Sequence, residues 1–170
     1  ELKSQSRLKR KIVTTGDGST TIQITDWNEQ YHSMHGAVQE AKHVFLKMGL
    51  DFWMNENPDQ NSLHILEIGF GTGLNALLTL IHTEKSSVNL LYEGVEAYPV
   101  SSEELAQLNY LEAADAQVFE AVFEKMHQTP WEQTETITEA FQLKKRKQTF
   151  ETLEDQDQHD LIYFDAFGAR

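Results

Sequence analysis

From residue 63 the chain runs Leu63, His64, Ile65, Leu66, Glu67, Ile68, an apolar stretch that stops at Gly69, Gly71 and Gly73. Directly after them Leu74, Ala76, Leu77, Leu78, Leu80 and Ile81 recur with helical spacing. The pattern predicts strand, tight turn and helix, the opening unit of a nucleotide-binding α/β sheet. Residues 88–95 predict a second buried strand, closed by Glu96. Residues 160–165, Asp-Leu-Ile-Tyr-Phe-Asp, predict a buried strand closed by Asp165. Between these two, Ile137, Phe141 and Leu143 place a third strand within 137–150, although four consecutive basic residues interrupt it. Residues 101–104, Ser-Ser-Glu-Glu, form a capping box that starts a helix with Leu105 and Leu108 on its inner face. Val118, Phe119, Val122, Phe123 and Met126 mark another helix, which Pro130 ends.

Upstream, residues 11–24 alternate around Thr15, Gly16, Asp17, Gly18 and Ser19 and predict a β-hairpin. Ala37, Val38, Ala41, Val44, Phe45 and Met48 share one helical face, with Gly49 placed to stop the helix. Residues 51–62 then read as a connector. Strands alternating with helices imply parallel pairing and right-handed crossovers. Ligands of such sheets bind outside the carboxyl ends of the strands. Glu67, Glu96 and Asp165 all stand at strand ends, so they are candidates for one site.

Bulk properties narrow the function. A length of 170 residues suits one domain, with 1–62 as an N-terminal extension and 63–170 as the nucleotide-binding core. The absence of cysteine removes disulfides, thiolate metal sites and cysteine nucleophiles, and is compatible with a reducing cytoplasm. No apolar run reaches the roughly 18–20 residues of a membrane span. A net charge of −13 argues against broad contact with a phosphate backbone. Positive charge is nevertheless clustered at Arg7, Lys9, Arg10 and Lys11, and again at Lys144, Lys145, Arg146 and Lys147. Such runs are by default solvated faces, and they are also the residues that would touch a nucleic-acid partner. His32 and His35 stand three apart and His43 follows, but a metal site needs a further ligand and a second shell, so no metal is expected. Trp27, Trp53 and Trp131 read as packing residues.

The glycine spacing discriminates between cofactors. A dinucleotide turn is G-x-G-x-x-G, whereas Leu74 stands where its third glycine would fall. Glu67, two residues before the first glycine, would repel a pyrophosphate and would suit an ammonium group. E-x-G-x-G-x-G resembles motif I of the S-adenosylmethionine-dependent methyltransferases. On that reading Glu67 and the glycine turn hold the amino-acid end of S-adenosylmethionine. Glu96 accepts from the ribose hydroxyls and Tyr98 lies against adenine. Asp165, in an Asp-Ala-Phe that resembles motif IV of amino-group methyltransferases, faces the amine.

Four stretches extend the resemblance: residues 29–40 (Glu-Gln-Tyr-His-Ser-Met-His-Gly-Ala-Val-Gln-Glu), Val44 and Phe45 with 49–53, residues 66–75 (Leu-Glu-Ile-Gly-Phe-Gly-Thr-Gly-Leu-Asn), and residues 163–167 (Tyr-Phe-Asp-Ala-Phe). In this order they resemble the tRNA 5-methylaminomethyl-2-thiouridine methyltransferase family, in its stand-alone form without an oxidoreductase domain. The resemblance implies a Rossmann-like class I methyltransferase sheet with strand order beginning 3-2-1-4, preceded by the hairpin and helix. It implies N-methylation of an aminomethyl group on a wobble uridine, with tRNA as partner and the cytoplasm as location. Cofactor-binding residues would be Glu67, Gly69, Phe70, Gly71, Gly73, Asn75, Glu96 and Tyr98. Tyr31, Ser33, Glu40 and Phe167 would line the substrate site, and Asp165 would be catalytic. The chain departs from the family at 147–152, Lys-Gln-Thr-Phe-Glu-Thr, where an acid that reads the adenine amino group is usual. The family also continues past Asp-Ala-Phe, so C-terminal strands are expected to be missing and to cover the apolar strand 160–165, with another chain in an oligomer as the alternative cover. A small-molecule amine methyltransferase and a non-catalytic cofactor-binding fragment are the alternative readings.

Overall fold

The computed structural model describes residues 10–14, 20–24, 29–30, 36–106 and 110–165. The expected hairpin forms: β1 (Arg10–Thr14) pairs antiparallel with β2 (Thr20–Ile24), Ile12 opposite Ile22, and β3 (Glu29–Gln30) adds to β2. Next, α1 (Ala37–Ala41), a π-wound segment (Lys42–Asp51) and α2 (Phe52–Glu56) follow one another without interruption. Gly49 therefore does not stop the helix. It sits inside the winding, where a Cβ would lie 3.6 Å from the Tyr163 ring, so its smallness serves a close helix–strand approach. The stop is Asn57, whose backbone N–H and Nδ2 both donate to the Trp53 carbonyl, at 3.0 and 2.9 Å. Pro58 follows and cannot continue the ladder.

The main sheet contains β4 (Ser62–Ile68), β5 (Asn89–Val95), β6 (Thr134–Thr138), β7 (Phe141–Arg146) and β8 (Leu161–Phe164), in the spatial order β6-β7-β5-β4-β8. Four of its strands run parallel, and β6 is antiparallel to β7. The crossovers carry α3 (Leu74–Thr83), α4 (Ser102–Leu105), α5 (Tyr110–Ala113) and α6 (Glu120–Gln128). Ser101 caps α4, its Oγ accepting from the Glu104 N–H at 3.2 Å, as the capping box predicts. Val118, placed on the inner face by its periodicity, precedes α6 and is exposed; Phe123 and Met126 are buried.

One face of the sheet buries Leu63, Ile65, Leu90, Tyr92, Phe141, Leu143 and Tyr163 against α3, α6 and the helical run 37–56. Its aromatic spine stacks Phe141 on Tyr92 at 5.8 Å, sets Tyr92 edge-on to Tyr163 at 6.1 Å and joins Tyr163 to Phe45 at 5.0 Å. Trp53 and Trp131 pack against this core, as expected. On the other face Leu66, Ile68 and Val95 meet Phe150 and Leu153 from the segment joining β7 to β8. There Ile162 and Phe164 are 60% and 52% exposed, and β8 has a strand neighbour on one side only among the described residues.

The expected single strand within 137–150 is instead the β6–β7 hairpin, turning at Glu139 and Ala140 with a register shift between Thr136 and Thr138. The basic run 144–147 is not one solvated face. Strand alternation sends Phe141, Leu143 and Lys145 into the core, with Lys145 only 2% exposed, and turns Lys144 and Arg146 the other way. Arg146 is committed to ion pairs with Asp155 at 2.6 Å and Glu93 at 3.0 Å. Of the other basic cluster, Arg7 and Lys9 lie outside the described residues, and Arg10 and Lys11 form the start of β1. No helix among the described residues is long and apolar enough to cross a membrane.

Candidate functional site

The site grows from the exit of β4. This strand lies between β5 and β8, and in an open α/β sheet ligands bind outside the carboxyl ends of such central strands. Gly69, Gly71 and Gly73 take φ of +90°, +55° and +82°, conformations that side chains resist, which is why the turn needs glycine at alternate positions. The loop is tied to β5: Gly69 and Phe70 N–H both donate to the Val95 carbonyl at 2.9 Å, and Gly71 N–H donates to Glu96 Oε2 at 2.8 Å. Glu96 Oε1 accepts from the Tyr98 N–H at 3.0 Å. Tyr98 itself is exposed.

Beneath the loop, Phe70 turns its ring into the core and lies across Gly94; a Cβ at Gly94 would stand 2.2 Å from Phe70 Cδ2. Trp131 meets Phe70 edge-on at 6.4 Å, and the His127 ring lies 6.3 Å away. Lys145 Nζ donates to the His127 carbonyl at 3.0 Å and sits 5.1 Å from the Trp131 ring centroid. Desolvation lowers Lys145 to about 8, and desolvation, then the Lys145 charge, lowers His127 to about 4. Phe70 thus shapes the loop from below.

The strand-end carboxylates come together as the sequence anticipates, but they differ in access. Glu67 is fully buried: Tyr92 Oη donates to its Oε1 at 2.8 Å and Asn75 Nδ2 to its Oε2 at 2.6 Å. The same Nδ2 reaches Asp165 Oδ2 at 3.3 Å, so Asn75 bridges the two acids, while its own Oδ1 makes no hydrogen bond among the described residues. Asp165 is also placed by its backbone N–H, which donates to the Ile68 carbonyl at 2.8 Å. Burial pushes the Glu67 carboxyl well above its usual range; the nearby Asp165 and Glu96 charges push the same way, against the Asn75 and Tyr92 hydrogen bonds. Burial and Glu67 likewise push the Tyr92 phenol up.

A carboxyl raised in this way stabilises the fold fully below its unfolded value, and that contribution is lost as pH rises towards the folded one. Replacing Glu67 by Gln removes this dependence. Urea denaturation should therefore show Glu67→Gln gaining stability relative to the parent between about pH 5 and pH 8. An identical difference at both pH values would mean that Glu67 titrates normally.

Of the substrate-lining residues expected from the sequence, Glu40 lies exposed on α1, while Tyr31, Ser33 and Phe167 lie outside the described residues, as do His32 and His35. Sequence reasoning did not single out Tyr92, Gly94 or His127, and it placed Lys145 only in a basic run facing a nucleic-acid partner. A signal existed for one of them: an isolated glycine within a strand marks a close approach.

The chain matches no protein-family model. It is 38% identical over 100 residues to a tRNA 5-methylaminomethyl-2-thiouridine biosynthesis bifunctional protein MnmC from Leptospira interrogans, covering 56% of this chain and 15% of that protein. It is 31% identical over 105 residues to the protein of the same name from Methylobacillus flagellatus, covering 60% and 16%. The chain thus matches only about 15% of the length of these relatives. Its fold is that of MNMC2 from Aquifex aeolicus, with a TM-score of 0.72 at 21% identity, over 96% of this chain and 52% of that one. The Rossmann-like α/β fold and the family resemblance read from the sequence are both borne out: over more than half its length the chain is similar to the tRNA 5-methylaminomethyl-2-thiouridine biosynthesis proteins.

Proposed function

We propose that this chain is the methyltransferase part of a tRNA-modifying enzyme that N-methylates the aminomethyl group of a modified wobble uridine in the cytoplasm. The observation that carries the reading is the gathering of Glu96, Asp165 and a loop with glycines at positive φ at the carboxyl end of β4. Those residues fit S-adenosylmethionine. Side chains would fill the cradle that the glycines leave, and Asn75 Oδ1 is a buried acceptor suited to an ammonium. Bound there, S-adenosylmethionine supplies an electrophilic methyl group.

The chain's own groups do the rest. Each carboxylate oxygen has two lone pairs, so Glu96 can keep the N–H groups of Gly71 and Tyr98 while accepting from both ribose hydroxyls. Glu67 is enclosed, so it acts through Asn75 and not on the ammonium directly. Asp165 accepts an N–H of the substrate amine, aims its lone pair and takes up the proton as positive charge forms on nitrogen. Alignment of this kind is worth as much as about 7–11 kcal/mol in good intramolecular cases. With Lys145 and Arg146 committed inside the fold, Lys144 and Lys147 are the members of that run left for phosphate contact.

Calorimetric titration with S-adenosylmethionine tests the reading. The parent should bind one equivalent, and Glu96→Ala should weaken binding by about 1.5–3 kcal/mol, the value of hydrogen bonds to a charged group. No binding by the folded parent, or unchanged affinity in the folded variant, would remove the cofactor assignment. Methyl transfer to tRNA lacking the terminal methyl, set against free amines, then tests the substrate.

A further inference from the structure

The face of the sheet away from the glycine-loop aromatics holds a second polar cluster. Tyr92 and Gly94 face the helices, so Glu93 between them points to the opposite side. There it meets Asp155 and His159 from the segment that joins β7 to β8. The His159 side chain is 5% exposed, and its Nε2 makes no hydrogen bond among the described residues. That nitrogen stands 3.7 Å from Glu93 Oε1 and 3.7 Å from Asp155 Oδ2, and the three ligand-type atoms lie within 4.8 Å of one another.

We propose that Glu93, Asp155 and His159 form a binding site for one Zn2+-class divalent cation, which fastens the β7–β8 connection to β5. A tetrahedral ion with bonds of about 2.0–2.1 Å separates its ligand atoms by roughly 3.3 Å, so the two His159 separations of 3.7 Å must close by about 0.4 Å and the two carboxylate oxygens, within 4.8 Å of each other, by at most about 1.5 Å. One imidazole with two carboxylates favours late first-row dications over Mg2+ or Ca2+. Arg146 is compatible with the ion. It donates to Glu93 Oε2 at 3.0 Å and to both oxygens of Asp155 at 2.6 and 2.8 Å, leaving Glu93 Oε1 towards His159. Outer hydrogen bonds of this kind orient ligating carboxylates. With a neutral imidazole the cluster carries two negative charges and one positive, so a dication is attracted. Phe150 and Leu153, on the same connection, pack under Leu66, Ile68 and Val95, so fastening it also steadies the strands that end at the candidate site.

Zn2+ titrated into the whole chain, with excess Mg2+ present, tests the site. One equivalent should bind at micromolar concentration or tighter. His159→Gln and Glu93→Gln should each weaken binding at least about tenfold, while His43→Ala, on an exposed helix face, should leave it unchanged. In the parent alone, Co2+ should give the intense d–d absorption of a tetrahedral site, a readout that needs no variant to fold. Absence of Zn2+ uptake, uptake that His159→Gln leaves unchanged, or a weak octahedral cobalt spectrum would each overturn the proposal.

Discussion

Asp165→Asn is expected to lower methyl transfer by about 10²-fold or more while changing affinity for S-adenosylmethionine by no more than a few-fold. The substitution keeps nearly the same shape. An asparagine oxygen can still accept from Asn75 Nδ2, which lies 3.3 Å from Asp165 Oδ2, and the backbone bond to the Ile68 carbonyl is untouched. What disappears is the ability to take up a proton from the amine. Single-turnover rates on tRNA lacking the terminal methyl read the chemical step, and calorimetry reads cofactor binding separately. If the rate stays within a few-fold of the parent, Asp165 is a brace for Asn75 and the proton leaves by another route.

Gly94→Ala is expected to cost the loop its shape and the protein most of its cofactor affinity, although Gly94 lies beneath the loop. The added Cβ would stand 2.2 Å from Phe70 Cδ2 and 2.8 Å from its Cγ, separations that force movement. Phe70 cannot swing aside freely, because Trp131 and His127 flank its ring. Overpacking of this kind costs about 1–3 kcal/mol in stability. Here the strain falls on the residue between Gly69 and Gly71, so it is transmitted to the loop. A double-mutant cycle with Phe70→Leu checks the cause, because a smaller side chain should restore part of the lost affinity. Additive losses would place the effect elsewhere.

The contrast between Glu67 and Glu96 shows how far pattern carries. Both acids are legible as strand-end residues, because each stands where an apolar run closes, Glu67 just before the glycine turn and Glu96 directly after Val95. Their different roles are not legible. Glu96 is 7% exposed and accepts from the N–H groups of Gly71 and Tyr98, whereas Glu67 is closed in completely by Tyr92 from the neighbouring strand and Asn75 from the following helix. The sequence places Glu67 on the cofactor ammonium; its enclosure by Tyr92 and Asn75, which the proposed function reads as a role one residue back, is set by neighbours distant in the chain.

The basic run teaches the same point from charge. Four cations in a row look like one surface, but a strand reverses its side chains at every residue. Lys145 enters the core, its stem among aromatics and its Nζ on a helix-end carbonyl, and Arg146 joins the acids of the opposite face.

By itself the sequence determined the succession of strands and helices, the glycine turn and the carboxylates at the strand ends. These follow from local periodicity and from conformations that only glycine accepts readily. The tertiary structure decided what depends on partners distant in the chain: the β6–β7 hairpin in place of one strand, the helix that continues through Gly49, the bed of Phe70 on Gly94, and the meeting of Glu93, Arg146, Asp155 and His159. The physical reason is that local pattern reports which face a residue prefers, whereas contact, desolvation and charge pairing are set by whatever strand or segment the fold brings against that face.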